Sequence, residues 1–170
     1  MKIATLSPEK GTYIIIANAV QMVRIEIGRL GKFDIIPGYY AYVGSAFGSG
    51  GIASRIRHHL ESIAAPHWHI DYLLSHAQPV EVWYALSDRK LEHDWAELLS
   101  IVPQFRTPIP RFGSSDYRRS RVSHLFYSKK RPSFRWFLAI ACHLVSVAPL
   151  SLAPTIFFSF PSRRKTALPL

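Results

Sequence analysis

Cysteine is nearly absent from this chain: Cys142 is the one thiol in 170 residues. An internal disulfide is therefore excluded, and the usage fits a reducing compartment. Acidic side chains are also few, 11 against 21 Lys and Arg, and none lies beyond residue 128. The N-terminus lacks a long apolar run, because Pro8, Glu9 and Lys10 come before one can form. No secretory signal is expected, and a cytoplasmic location is. No internal repeat is visible, and the length fits one domain with a sizeable core.

Hydrophobic residues make up 48% of the chain, enough for a compact fold rather than disorder. The net charge of +10 points to an acidic partner, either nucleic acid or an anionic membrane surface. Seven of the cations fall after residue 128, however. Residues 1–128 carry 14 basic and 11 acidic side chains, a net of only +3. That balance remains compatible with a local basic cleft.

Thr12 to Ala17 is short, β-branched and aromatic, and reads as a buried strand after Gly11. Val23, Ile25 and Ile27 alternate with Arg24 and Glu26, the pattern of a half-buried strand. Asn18 to Gln21 is then expected to be a hairpin connection. Gly28, Gly31, Pro37 and Gly38 punctuate a loop, and Tyr39 to Val43 forms a third strand. Ile52, Ile56, Leu60 and Ile63 recur at helical spacing behind Gly48-Ser49-Gly50-Gly51. Further helices are expected over His67–His76 and from about Leu91 to Ile101, with a strand at Val80–Leu86 between them. Strands first and helices after predict an α+β domain on a small antiparallel, three-stranded core sheet flanked by helices.

The C-terminal segment changes character. Trp136 to Phe160 contains no charged residue apart from histidine and is long enough to span a bilayer, with Lys129-Lys130-Arg131 on one side and Arg163-Arg164-Lys165 on the other. Pro149, Pro154 and the serines and threonines between Ser146 and Ser159 oppose a membrane span. The preferred reading is a functional domain over 1–128 and a basic, apolar tail over 129–170 outside the core fold. Membrane contact through that tail is the lesser alternative.

The chemistry concentrates in Gly38-Tyr39-Tyr40-Ala41-Tyr42-Val43-Gly44-Ser45-Ala46, a glycine-rich loop, and Arg55-Ile56-Arg57-His58-His59. Arg55 and His59 are four apart, so they share a helix face beside the Ile52/Ile56/Ile63 stripe and would be aimed at the sheet. An arginine so placed can hold phosphoryl oxygens with two donors, and fixed positive charge stabilises a transition state that gathers negative charge.

Gly11-Thr12-Tyr13 and Tyr42-Val43-Gly44 resemble the two halves of the GIY-YIG signature. His67-Trp68-His69-Ile70-Asp71-Tyr72-Leu73, Phe112-Gly113-Ser114-Ser115-Asp116 and Ser123-His124-Leu125-Phe126 follow in order. Together these passages resemble the DUF123 family, which is grouped with the GIY-YIG nucleases, over about residues 10 to 127. The resemblance implies a GIY-YIG-like fold with an added hairpin or loop insertion between Tyr13 and Tyr42. It also implies a metal-dependent endonuclease acting on nucleic acid, DNA first, without a small-molecule cofactor. Tyr13 would activate water or contact the phosphate, with Tyr42 supporting it from the adjacent strand. Arg55 would stabilise phosphoryl charge and His59 would join the proton relay. Glu92 is the best match for the single carboxylate that binds Mg²⁺ or Mn²⁺, although Asp94 and Glu97 are near.

Departures from the family pattern are visible. Ser45 stands where some branches place a basic residue, and Tyr117 and Ser120 fill places where the family commonly shows cysteines. The roles of Asp116 and His124 are not implied. His67, His69 and Asp71 invite a metal reading, but alternate residues on a helix do not face one another. A free tyrosine has a pKa near 10, so Tyr13 acting as a base needs that value lowered by its neighbours. The reading from a different class is a non-catalytic nucleic-acid-binding module that keeps the fold.

Overall fold

Gly11–Ala19 forms the central strand, β1, and nearly all of it is buried, as a strand covered on both faces requires. The computed structural model describes residues 6–61, 66–114, 122–144 and 152–157. Val23–Ile27 (β2) and Gly31–Ile35 (β3) follow, then Gly38–Ala46 (β4), helices Gly51–Glu61 (α1) and His69–Leu74 (α2), and strand Gln78–Leu86 (β5). Helix Glu92–Ser100 (α3), strand Leu125–Ser128 (β6), helix Phe134–Leu144 (α4) and strand Leu152–Phe157 (β7) complete the order. The architecture is α+β, with an antiparallel sheet ordered β6-β4-β1-β5 and extended at the β5 edge by β7.

Two layers of core flank this sheet. Tyr13, Ile15, Tyr40 and Tyr42 point to one face and pack with Ile52 and Ile56 of α1, Ile70 and Leu73 of α2, and Ile25, Ile27 and Ile35. Ile14, Ile16, Val43 and Trp83 point to the other, against Leu91, Trp95 and Leu99. The alternation along β1 and β4 is the period of two that sends successive side chains to opposite faces. The apolar stripe of α1 follows its 3.6-residue period onto the tyrosine face.

Three expectations are corrected. The segment Asn18–Gln21 is not a hairpin joining β1 to β2. Both edges of β1 are taken by β4 and β5, so β2 pairs with β3 instead, in a separate two-stranded ladder from Val23↔Ile35 to Ile27↔Gly31. The stretch expected as a loop around Gly28 and Gly31 therefore contains a strand. Its alternation of Lys32 and Asp34 with Phe33 and Ile35 is half-buried, like that of β2. Finally, residues 129–170 do not all lie outside the fold. Phe137 and Ala141 of α4 are fully buried in the second core, and the Phe137 ring stacks on Trp83 at 5.4 Å. Arg131 donates to Oε2 of the buried Glu81 at 2.9 Å, tying the approach to α4 onto β5. Among the described residues no helix is long and apolar enough to cross a membrane.

The glycine-rich entry to α1 is closed by the chain itself. Gly51 has φ +50, and a side chain there would collide with the carbonyls of Pro8 and Glu9. The segment approaches because the helix start needs acceptors: Ile52 and Ala53 donate their amides to the carbonyls of Glu9 and Ser7 at 2.9 and 2.8 Å.

Candidate active site

The ladder between β1 and β4 pairs Tyr13 with Gly44 and Ile15 with Tyr42, which sets the two tyrosines diagonally on one face. Their rings lie 6.3 Å apart. A side chain on Gly44 would overlap the Tyr13 phenol, so the glycine of Tyr42-Val43-Gly44 makes room for that ring. α1 crosses this face and lowers His59 onto it. The Tyr13 hydroxyl is 2.8 Å from His59 Nε2, both groups being about 1% exposed.

His59 is held from behind. Its Nδ1 lies 2.7 Å from Oδ1 of the fully buried Asp71, on the third residue of α2. The other carboxylate oxygen accepts the amides of His67 and Trp68 at 3.0 and 2.8 Å, so Asp71 also caps the helix it belongs to. Burial pushes the Asp71 carboxyl up, but the His59 hydrogen bond and the two amides outweigh it and hold the group below the ordinary carboxylate range. Burial pushes His59 down against the opposing pull of Asp71, so the imidazole is neutral near pH 7. With its proton on Nδ1, a neutral ring would donate to Asp71 and leave Nε2 to accept from the Tyr13 hydroxyl.

The lowered tyrosine pKa that a base at Tyr13 would need is not found. Burial first, then the proximity of Tyr42, raise the Tyr13 hydroxyl well above its ordinary value, and Arg55 offsets this only partly. Tyr42 is raised as well, by burial and by the charge of Glu92. Proton transfer from Tyr13 therefore needs an acceptor in contact, and His59 is in that position.

Arg55 stands one helical turn before His59 and lies over the Trp68 ring at 4.3 Å. Contact with the ring face restrains the guanidinium in the cleft. Glu92 opens α3, whose start is pinned to β1 by a 3.0 Å hydrogen bond from the Leu91 amide to Thr12 Oγ1. The Glu92 carboxylate accepts Ser45 Oγ at 2.8 Å, and His124 Nδ1 lies 3.2 Å from its second oxygen. Burial alone would raise this carboxyl, but His124 and Ser45 hold it below its usual value, so it is ionised.

Tyr13, Tyr42, Arg55, His59 and Glu92 all line one cleft of about 320 Å³, together with Ser45, Trp68, Lys90 and Gly113. All five candidate residues are thus brought together from β1, β4, α1 and α3. Sequence reasoning missed Lys90, an exposed cation beside the Phe47 ring that also lines the cleft. It also left Asp71 and His124 without roles, since each meets its partner across a long sequence separation.

The histidines of His67-Trp68-His69-Ile70-Asp71 do not form a shared site. His69 Nδ1 accepts the Gly113 amide at 3.1 Å, and the His67 ring packs edge-on to Trp68 at 4.5 Å. Among the described residues no group of three or more His, Cys, Asp or Glu is arranged to hold a metal ion. Glu92 alone is a different kind of candidate. It is an ionised carboxylate in the cleft with lone pairs beyond the two engaged by Ser45 and His124, which suits a cation that keeps most of its water. Asp116, Tyr117 and Ser120 lie outside the described residues.

A family model described as a domain of unknown function, DUF123, matches residues 12–146. No curated protein and no solved structure matches the chain.

Proposed function

The chain belongs to the DUF123 family, and on that footing we propose that it is a metal-dependent endonuclease hydrolysing phosphodiester bonds in DNA, built on a GIY-YIG-like core. The observation that carries this reading is the convergence of Tyr13, Tyr42, Arg55, His59 and Glu92 on one cleft. Cations, a hydroxyl with a proton acceptor and an isolated carboxylate are the parts that phosphodiester hydrolysis needs.

In this reading Arg55 binds the scissile phosphate, its donors facing the non-bridging oxygens, and Lys90 adds charge at the rim. A Mg²⁺ or Mn²⁺ ion held by Glu92 would supply further neutralisation of phosphoryl charge. Tyr13 positions the attacking water. As the water oxygen bonds to phosphorus and the bond to the leaving oxygen breaks, the water proton passes to the Tyr13 oxygen and the Tyr13 proton to His59 Nε2. The leaving oxygen takes a proton from solvent. Tyr42 packs beside Tyr13 and fixes its ring.

The other reading, a binding module without turnover, separates from this one by experiment. Arg55→Ala in the full chain should slow cleavage of labelled DNA by about 10²–10³ while a gel-shift assay still detects binding. Wild-type chain that binds in a salt-sensitive manner but cleaves neither single-stranded, duplex nor branched substrates with Mg²⁺ or Mn²⁺ would favour the binding module.

A further inference from the structure

Asp71 takes no part in the reaction steps proposed above, yet it is fully buried, and each of its oxygens has a defined partner. One accepts from His59; the other is occupied by the His67 and Trp68 amides. We propose that Asp71 is a positioning residue that keeps the His59 proton on Nδ1, so that Nε2 is always the atom presented to the Tyr13 hydroxyl. This rests on the nuclease reading for its consequence in catalysis, but the tautomer it dictates is a property of the protein by itself.

The geometry makes the point. Tyr13 Oη, His59 Nε2, His59 Nδ1 and Asp71 Oδ1 form a continuous line of two hydrogen bonds, 2.8 and 2.7 Å, from β1 through α1 to α2. If the proton sat on Nε2, Nδ1 would face Asp71 lone pair to lone pair, and the ring would donate to Tyr13 instead of accepting from it. The two amides on the second oxygen hold the carboxylate in its ionised form. Asp71 therefore does not take the proton itself but stabilises the imidazolium formed when Tyr13 gives up its own. After the step His59 returns that proton to the Tyr13 oxygen as the Tyr13 hydroxyl releases its own to solvent.

The other charged and titratable groups about His59 are Arg55 and His58 from its own helix, Tyr13 from β1 and Tyr42 from β4. Of these, Arg55 and His58 disfavour a charged His59, so Asp71 is the group that compensates it. His58 Nε2 lies 3.9 Å from the far oxygen of Asp71, too long for a hydrogen bond to compete with His59.

The test uses full-length, ¹⁵N-histidine-labelled protein, with the His59 signals assigned by their loss in His59→Gln. Wild type should show the neutral Nδ1–H tautomer, and Asp71→Asn should shift the ring toward Nε2–H. In the same variant kcat for DNA cleavage should fall by about a hundredfold or more with KM unchanged, and Asp71→Glu should recover part of it. A wild-type ring protonated on Nε2 would overturn the proposal, as would an Asp71→Asn protein that keeps both the wild-type tautomer and kcat. Should Asp71→Asn fail to fold, or wild type cleave nothing, the wild-type tautomer still decides: Nδ1–H sustains the role and Nε2–H removes it. Absence of cleavage would by itself count against the nuclease reading only.

Discussion

The Tyr13 ring occupies the space beside Gly44 on the neighbouring strand where any side chain would have to stand. The two residues are paired in the β1–β4 ladder, so the close approach is built into the register. Gly44→Ala forces either the phenol or the strand to move. It should destabilise the protein by roughly 1–3 kcal/mol, as overpacking does, and shift Tyr13 away from His59. Urea denaturation and the cleavage rate together check this; a variant of wild-type stability and rate would show that the cleft tolerates the methyl group.

In the proposed nuclease Arg55 would act through position as well as charge, because the Trp68 ring lies against its guanidinium. Arg55→Ala should lower kcat by about 10²–10³, the scale for loss of one preorganised donor group to a charged transition state. Arg55→Lys should recover little, since an ammonium cannot present two parallel donors. Full activity in the lysine variant would mean that only the charge is used.

Stability should depend on pH in a defined direction. His59, Asp71 and Glu92 are each held below their ordinary values of 6.5, 3.8 and 4.5. For each, the unfolded chain takes up a proton at higher pH than the folded protein does. The stabilisation is complete above the unfolded value and is lost as pH falls through the folded one. Acidification should therefore weaken the fold first below about pH 6.5 through His59 and again below about pH 4.5 through the carboxylates. His59→Gln should remove the first step in urea midpoints. A midpoint that rises on going from neutral to mildly acid solution would contradict the assignment.

The sequence made the chemistry legible wherever it was local or carried by a motif. Arg55 and His59 lie one turn apart on a helix, and Tyr13 and Tyr42 stand in the two signature motifs. The register that sets both tyrosines on one face is visible only in the structure. Glu92 could be picked from its motif, but its selection over Asp94 is visible only in space: Asp94 pairs with Arg89 at the surface, whereas Glu92 faces Ser45 and His124. Asp71 was noticed for its neighbours His67 and His69, yet its partner is His59, on a different helix. Strand pairing is likewise non-local. The short spacing from β1 to β2 suggested a hairpin, but the closure of β4 and β5 on both edges of β1 leaves no place for β2. The apolar composition after residue 128 read as a tail because nothing in it announces that Trp83 needs a cover.

That cover predicts a stability effect remote from the cleft. Phe137 is fully buried between Trp83 and Trp95, with ring separations of 5.4 and 5.2 Å. Phe137→Ala should cost roughly 3–5 kcal/mol, as truncating a buried aromatic does. A chain ended at Ser128 should unfold more readily than the full chain. Equal urea midpoints for the two chains would place α4 outside the cooperative unit.

The most direct measurement is cleavage of end-labelled single-stranded, duplex, flapped and branched DNA by the full chain, with Mg²⁺ or Mn²⁺ and with EDTA, beside Arg55→Ala and Glu92→Gln. The nuclease account predicts strand scission that requires the divalent ion and is lost in both variants. Scission that survives in EDTA or in Glu92→Gln, or no scission of any substrate by a protein that still binds DNA, would contradict it.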